Sequence, residues 1–144
     1  MSEVYLVGLD GSDPGRRALA EAERQARLSN ASLILSYVIP WSPFTFSTPE
    51  ENANRHKRRE EELARASKCV LQPEQQRMLE HGIETRIEVR HGHPARTIVA
   101  LAKENNVDMI VIGVTGERTL KARVLGGTAS AVIQIAHCPV LVVP

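Results

Sequence analysis

Two stretches of this chain carry apolar side chains at consecutive positions, VYLVGLD (Val4 to Asp10) and DMIVIG (Asp108 to Gly113). A strand with one wet face alternates apolar and polar residues, so an unbroken apolar run suits a strand covered on both faces. A parallel sheet between two layers of helices provides that cover.

The segments between and around these runs supply the helices and the other strands. After VYLVGLD comes GSDPG, where Asp13 is the expected helix cap and Pro14 fits the first helical position. Ala18, Leu19, Ala22 and Ala26 then share one face, with Arg and Glu opposite; Ser29 and Asn30 end this amphipathic helix. SLILSYVI (Ser32 to Ile39) reads as a second strand. PWSPFTFSTP is a loop holding the only Trp and both Phe, a lid or partner surface if its aromatics do not tuck onto the domain. From Glu50 to Glu80 the chain is charged and helical, and Gln72-Pro73 must kink or split it, because Pro lacks an N–H and crowds the preceding turn. His81-Gly82 is a stop. IETRIEVR (Ile83 to Arg90) alternates and so belongs at a sheet edge. HGHP leads into a helix with Pro94 at its first position, Ile98, Leu101 and Ala102 inward, and Asn105-Asn106 at its end. Ala129, Val132, Ile133 and Ala136 mark a last helix, and CPVLVVP is the final strand.

Strands alternating with helices give an α/β fold, a single domain over residues 1–144 with an open parallel sheet and helices on both faces. If the two most buried strands sit together at the centre, a ligand crevice lies beyond their carboxyl ends, beside Asp10 and Gly113.

Composition narrows the partners. A net charge of +1 argues against nucleic acid or an anionic membrane. No apolar run approaches the ~18 residues of a membrane span, and the N-terminus does not read as a signal peptide. Two cysteines, Cys69 and Cys138, are too few for a disulfide framework; both read as buried, reduced thiols of a cytoplasmic protein. With aromatics at 3 %, the core is aliphatic.

The chemistry-bearing segment is VIGVTGERTLKARVLGGTAS (Val111 to Ser130). Gly113 and Gly116 leave the carboxyl end of a strand; Gly126 and Gly127 stand directly before a helix, whose free N–H groups attract an anion. Thr128 offers a hydroxyl that caps the helix or meets a phosphate oxygen. The spacer adds Arg118, Lys121 and Arg123 against Glu117. A side chain at Gly113, Gly116 or Gly126 is expected to intrude on phosphate or to strain a positive φ. The competing reading is two chain turns and nothing more. Neither GxxxxGK[ST] nor GxGxxG occurs, which removes support from P-loop NTPases and dinucleotide dehydrogenases.

Taken together, LVGLDGS, GHPARTIVALAKENNVDMIVIG, the glycine loop and HCPVLVVP resemble the universal stress proteins over essentially the whole chain. Gly113, Gly116 and Gly126 match the Gly-x2-Gly-x9-Gly pattern of that family's ATP-binding branch. The resemblance implies a five-stranded sheet in order 3-2-1-4-5, a homodimer through the strand at 140–143, and an ATP site with Asp10 near the ribose and Val38 and Ile112 beside the adenine. It departs at one place: Gly127 stands where the family has Ser or Thr, with the hydroxyl one residue later. The expected function is a cytoplasmic dimeric regulator or adaptor with an unidentified protein partner. It binds ATP with Mg²⁺ held mainly by the phosphates, has no assigned catalytic residue and at most hydrolyses slowly. The alternatives are a nucleotide-free dimeric module and, more remotely, a metal-dependent hydrolase using His91 and His93, with His137 and Cys138 as further ligand types. Glu60, Glu61 and Glu62 read as a solvated helix face, and Asp10 otherwise as a turn former before Gly11.

Overall fold

The computed structural model describes residues 2–40, 49–115 and 125–144. The aromatic loop from Trp41 to Phe46, Gly116 and the charged spacer residues Glu117 to Arg123 lie outside these described residues. Strands β1 (Val4–Leu9), β2 (Ser32–Pro40), β3 (Thr85–Gly92), β4 (Met109–Gly113) and β5 (Val140–Val143) form one sheet in the order β3-β2-β1-β4-β5. Every neighbouring pair is parallel. The two apolar runs are therefore adjacent at the centre, and the alternating strand is an edge.

Successive residues of β1 serve opposite faces, as the pleat requires. Tyr5, Val7 and Leu9 enter a core with Ala18, Leu19, Ala22 and Ala26 of helix α1 (Asp13–Ser29). Met78 of helix α3 (Gln72–Glu80) completes that layer. Leu6 enters the other core, with Ile98 and Leu101 of helix α4 (Pro94–Glu104) and Val132 of helix α5 (Gly127–Ile135). Leu6 stands in register with Ile34 on one side and Ile110 on the other. Burying each such side chain contributes about 1.5–3 kcal/mol.

Helix α2 (Pro49–Ala66) runs into a five-residue π turn, Ser67–Leu71, directly before α3. The N–H of Gln72 reaches back to the carbonyl of Ser67. The widened turn is how the chain admits Pro73, which cannot donate to an ordinary helical bond.

Two expectations change in detail. Ser12, not Asp13, caps α1: its backbone is extended and its hydroxyl accepts from the N–H of Gly15 at 3.3 Å. Asp13 falls inside the first turn, where it pairs with Arg16 at 2.8 Å. Cys69 lies in the π turn with its side chain in solvent, while Cys138 is half-buried. Burial and the nearby Asp108 carboxylate push the Cys138 thiol above its ordinary pKa.

Candidate functional site

The chain leaves β1 toward β2 on one side of the sheet and leaves β4 toward β5 on the other. That reversal makes the carboxyl ends of β1 and β4 a topological switch point, where open α/β sheets usually hold their ligands in a crevice. Asp10 stands at the exit of β1. Its Oδ1 accepts from the backbone N–H of Ser12 at 3.0 Å and from the Ser12 hydroxyl. Gly11 between them has φ 81°, so the turn needs a residue at ease in the left-handed region. Asp10 is thus a turn former, with both of these bonds on one carboxylate oxygen.

Gly113 ends β4 against the first turn of α1. A Cβ placed there would meet Cβ, C and O of Pro14 at 2.8, 2.9 and 2.9 Å. The glycine is required by this close approach of strand to helix, whether or not a ligand is bound, and its φ is not positive. Val114 follows. Its N–H donates to the carbonyl of Val143 at 2.8 Å, and its own carbonyl accepts from the N–H of Gly126 at 2.7 Å. The two ends of the glycine loop are therefore tied together at Val114, beside the end of β5.

This tie sets the start of α5 next to the end of β4. Gly126 is the cap residue, with φ −64° and ψ 158°, ordinary extended backbone and not the strained conformation expected of it. It offers no side-chain cap, so Thr128 is the second residue of the helix and not its cap. The N–H groups of Gly127, Thr128 and Ala129 belong to the first turn, which leaves its donors without intrahelical partners. Gly127 is exposed, and a Cβ added to it would meet nothing within 4 Å.

Val38 and Ile112 both pack on the α4/α5 side of the sheet, Ile112 buried and Val38 partly so. Gly8 lies on that side too: a Cβ there would come within 3.1 Å of Ile112 Cγ2 and 3.3 Å of Ile98 Cδ1. Its register partner Ser36 is fully buried and donates its hydroxyl to the carbonyl of Val7 at 2.8 Å. Gly8, Ser12, Pro14 and Val114 were missed as shaping residues. A lone glycine inside an apolar strand, Gly8, was the one signal available for close approach.

The histidines have other employment. The His91 ring Nε2 lies 3.2 Å from Glu62 Oε2, tying β3 to α2, so Glu62 is not merely solvated. His93 is the cap of α4, its ring Nδ1 accepting from the N–H of Arg96 at 3.3 Å. Among the described residues no group of three His, Cys, Asp or Glu side chains is placed to hold a metal ion. None of the described helices is long and apolar enough to cross a membrane.

With the fold and the crevice placed, comparison with known proteins decides the family. The model of the universal stress protein family matches residues 1–144. The chain belongs to the universal stress protein family. Among curated universal stress proteins, one from Methanocaldococcus jannaschii is 34 % identical over 138 residues, covering 96 % of this chain and 79 % of its own length. YxiE of Bacillus subtilis is 32 % identical and covers 99 % of each chain. The solved universal stress protein UspA from Lactobacillus plantarum superposes with a TM-score of 0.84 at 30 % identity, over 99 % of this chain and 97 % of that one. A universal stress protein crystallised in complex with cAMP aligns with a TM-score of 0.62 at 26 % identity, covering 99 % and 96 % of the two chains.

Proposed function

We propose that the crevice at the ends of β1 and β4 binds an adenine nucleotide, ATP, and that the chain acts as a cytoplasmic, dimeric regulator or adaptor formed by one nucleotide-binding domain over residues 1–144. The observation that carries the reading is the start of α5. Its first-turn N–H groups stand beside the end of β4, and Gly127 leaves open space where a phosphate must come close. Gly127, Thr128 and Ala129 then donate to phosphate oxygens, with Gly113, Gly116 and Gly126 shaping the loop. Asp10 takes a ribose hydroxyl through Oδ2, since Oδ1 holds the turn. Val38 and Ile112 flank the adenine on the α4/α5 side. Magnesium fits as an ion carried mainly on the phosphates, with Asp10 a carboxylate at the end of β1. The cAMP complex of a related universal stress protein supports the choice of an adenine nucleotide. No residue is assigned a catalytic role, so any hydrolysis is slow.

The dimer reading rests on β5, a sheet edge. The carbonyls of Pro139 and Val143 accept from β4, so alternation turns the backbone groups of Val140 and Val142 outward, free to pair with a second copy.

A nucleotide-free module is favoured by one observation: the N–H of Gly126 is already committed to Val114. Native mass spectrometry of gently purified protein, followed by calorimetric titration with ATP and adenosine, separates the two. Carried-over nucleotide or saturable ATP binding supports the site. Protein that leaves purification empty and gives no heat with millimolar ATP overturns it.

A further inference from the structure

The helical stretch that follows β2 is longer than the strand it lies against. Glu62 of α2 meets His91 of β3, Oε2 to Nε2 at 3.2 Å. Gln75 of α3 donates its side-chain amide to the carbonyl of Thr85 at 2.9 Å. On the helix these anchors are thirteen residues apart, about 20 Å at ~1.5 Å each. On the strand they are six residues apart, again about 20 Å at ~3.3 Å each. Helix and strand therefore run side by side, antiparallel, from Thr85 to His91. β3 then ends at Gly92, whereas α2 reaches back from Glu62 to Pro49, another ~20 Å. Residues 49–61 thus stand about 15 Å past the carboxyl end of the strand.

The overhang has no apolar grip on the body. Of the 18 residues of α2 only Ala66 is buried, whereas α1 buries six of its 17. Residues 49–61 contain no Val, Leu, Ile, Met, Phe, Tyr or Trp, so they bring no apolar stripe to a core. Glu51, Asn52, Arg55 and Arg59 each have a partner, so polar and electrostatic contacts fix this stretch, and water can replace those. It does carry helix signals: Pro49 at the start, Glu50 and Glu51 in the first turn, and a His56–Glu60 pair one turn apart at 3.0 Å with both side chains in solvent. A helix of about 12–15 residues is marginal in water without packing. The overhang is thus poised between helix and coil, and the Glu62–His91 pair stands where the docked part of α2 begins.

His91 stands in register with Ile39, the residue after Val38, so the overhang rises from the adenine end of the proposed crevice. We propose that residues 49–61 are a strap that opens and closes from the Glu62–His91 clasp without unfolding of the core, and that it closes when the crevice is filled. The ligand it closes on rests on the nucleotide reading above. Opening exposes no core side chain, so it draws on far less free energy than unfolding of the sheet. A bound nucleotide adds contacts that only the closed strap makes, and this shifts the population toward the closed form.

Amide hydrogen exchange of the full chain, with and without ATP, tests this beside calorimetry that measures whether ATP binds. Without ATP, amides 53–61 should exchange roughly a hundred-fold faster than those at 18–26 in α1. Saturating ATP should slow 53–61 by about ten-fold. Glu62→Ala removes the clasp while placing the strongest helix former there; it should speed exchange at 63–66 by about five-fold and leave α1 as in the parent. Strap amides as slow as those of α1 in the empty protein overturn the proposal, and so does parent-like exchange in Glu62→Ala. Calorimetric binding of ATP with no change at 53–61 overturns the strap and leaves the site standing. No binding at all overturns the nucleotide reading and the strap with it.

Discussion

Gly127→Ser tests the phosphate reading most directly, because the structure separates what the substitution does to the fold from what it does to a ligand. Gly127 is the first residue of α5, exposed, with no atom within 4 Å of an added Cβ. Its backbone is not in the left-handed region. Neither clash nor strain follows, and the loss of glycine's unfolded-state freedom favours the folded chain by about 0.4–1 kcal/mol. Gly127→Ala carries that gain alone. The serine adds a hydroxyl beside the first-turn N–H groups, where a phosphate oxygen is proposed to sit. A hydrogen bond to a charged oxygen is worth about 1.5–3 kcal/mol, or roughly ten- to a hundred-fold in affinity. Calorimetric titration should show Gly127→Ser binding ATP at least ten-fold tighter than Gly127→Ala, while adenosine, lacking phosphate, binds both alike. Equal ATP affinity in the two folded variants refutes the placement of phosphate at the start of α5.

Gly113→Ala should lower the melting temperature by several degrees without nucleotide, since its Cβ would sit 2.8–2.9 Å from Pro14 and overpacking costs about 1–3 kcal/mol; an unchanged melt refutes the packing account. Val142→Pro removes an outward N–H from the edge of β5 and spares the bonds to β4, so sedimentation should show monomer where the parent shows dimer; a dimer that survives at the same concentration moves the interface elsewhere. Burial pushes the Glu23 carboxyl up, but Arg27 and His81 outweigh it and hold its pKa below the usual carboxylate value. Its contribution is therefore complete above the unfolded value of ~4.3 and fades as pH falls through the depressed folded value. Glu23→Gln should cost about 1 kcal/mol at pH 7, with the gap to the parent closing in acid denaturation below pH ~4; a gap constant from pH 7 to pH 2 refutes it.

The centre of the sheet was legible because burial on both faces writes itself into consecutive residues, as in Leu6 and Val7 or Ile110 and Val111. The edge was legible in β3 for the converse reason. Helix starts marked by proline were found within a residue, yet Ser12 and Asp13 are both short polar side chains before Pro14, and only the backbone angles tell cap from first turn. Cys69 is exposed and not buried because it sits in the π turn before Pro73, and such turns leave no periodicity to read. Gly113 shows a deeper limit. A glycine demanded by a neighbouring backbone and a glycine demanded by a ligand are the same letter, and Pro14, its neighbour in space, lies near the other end of the chain. The resemblance supplied the sheet order and the candidate residues, whereas the contacts that hold those residues in place had to come from the coordinates.

Val114 carries no chemistry in its side chain, but its two backbone bonds join the last residue of β5 to the residue that caps α5. Under the proposed reading one residue, through the two peptide units that flank it, is shared by the nucleotide crevice and the self-association edge. Free energies linked in this way are reciprocal: whatever factor nucleotide applies to the association of two copies, association applies to the affinity for nucleotide. The protein's occupied state would then depend on both its own abundance and the nucleotide supply. Such a molecule would read two quantities through one linkage, its own abundance and the supply of adenine nucleotide.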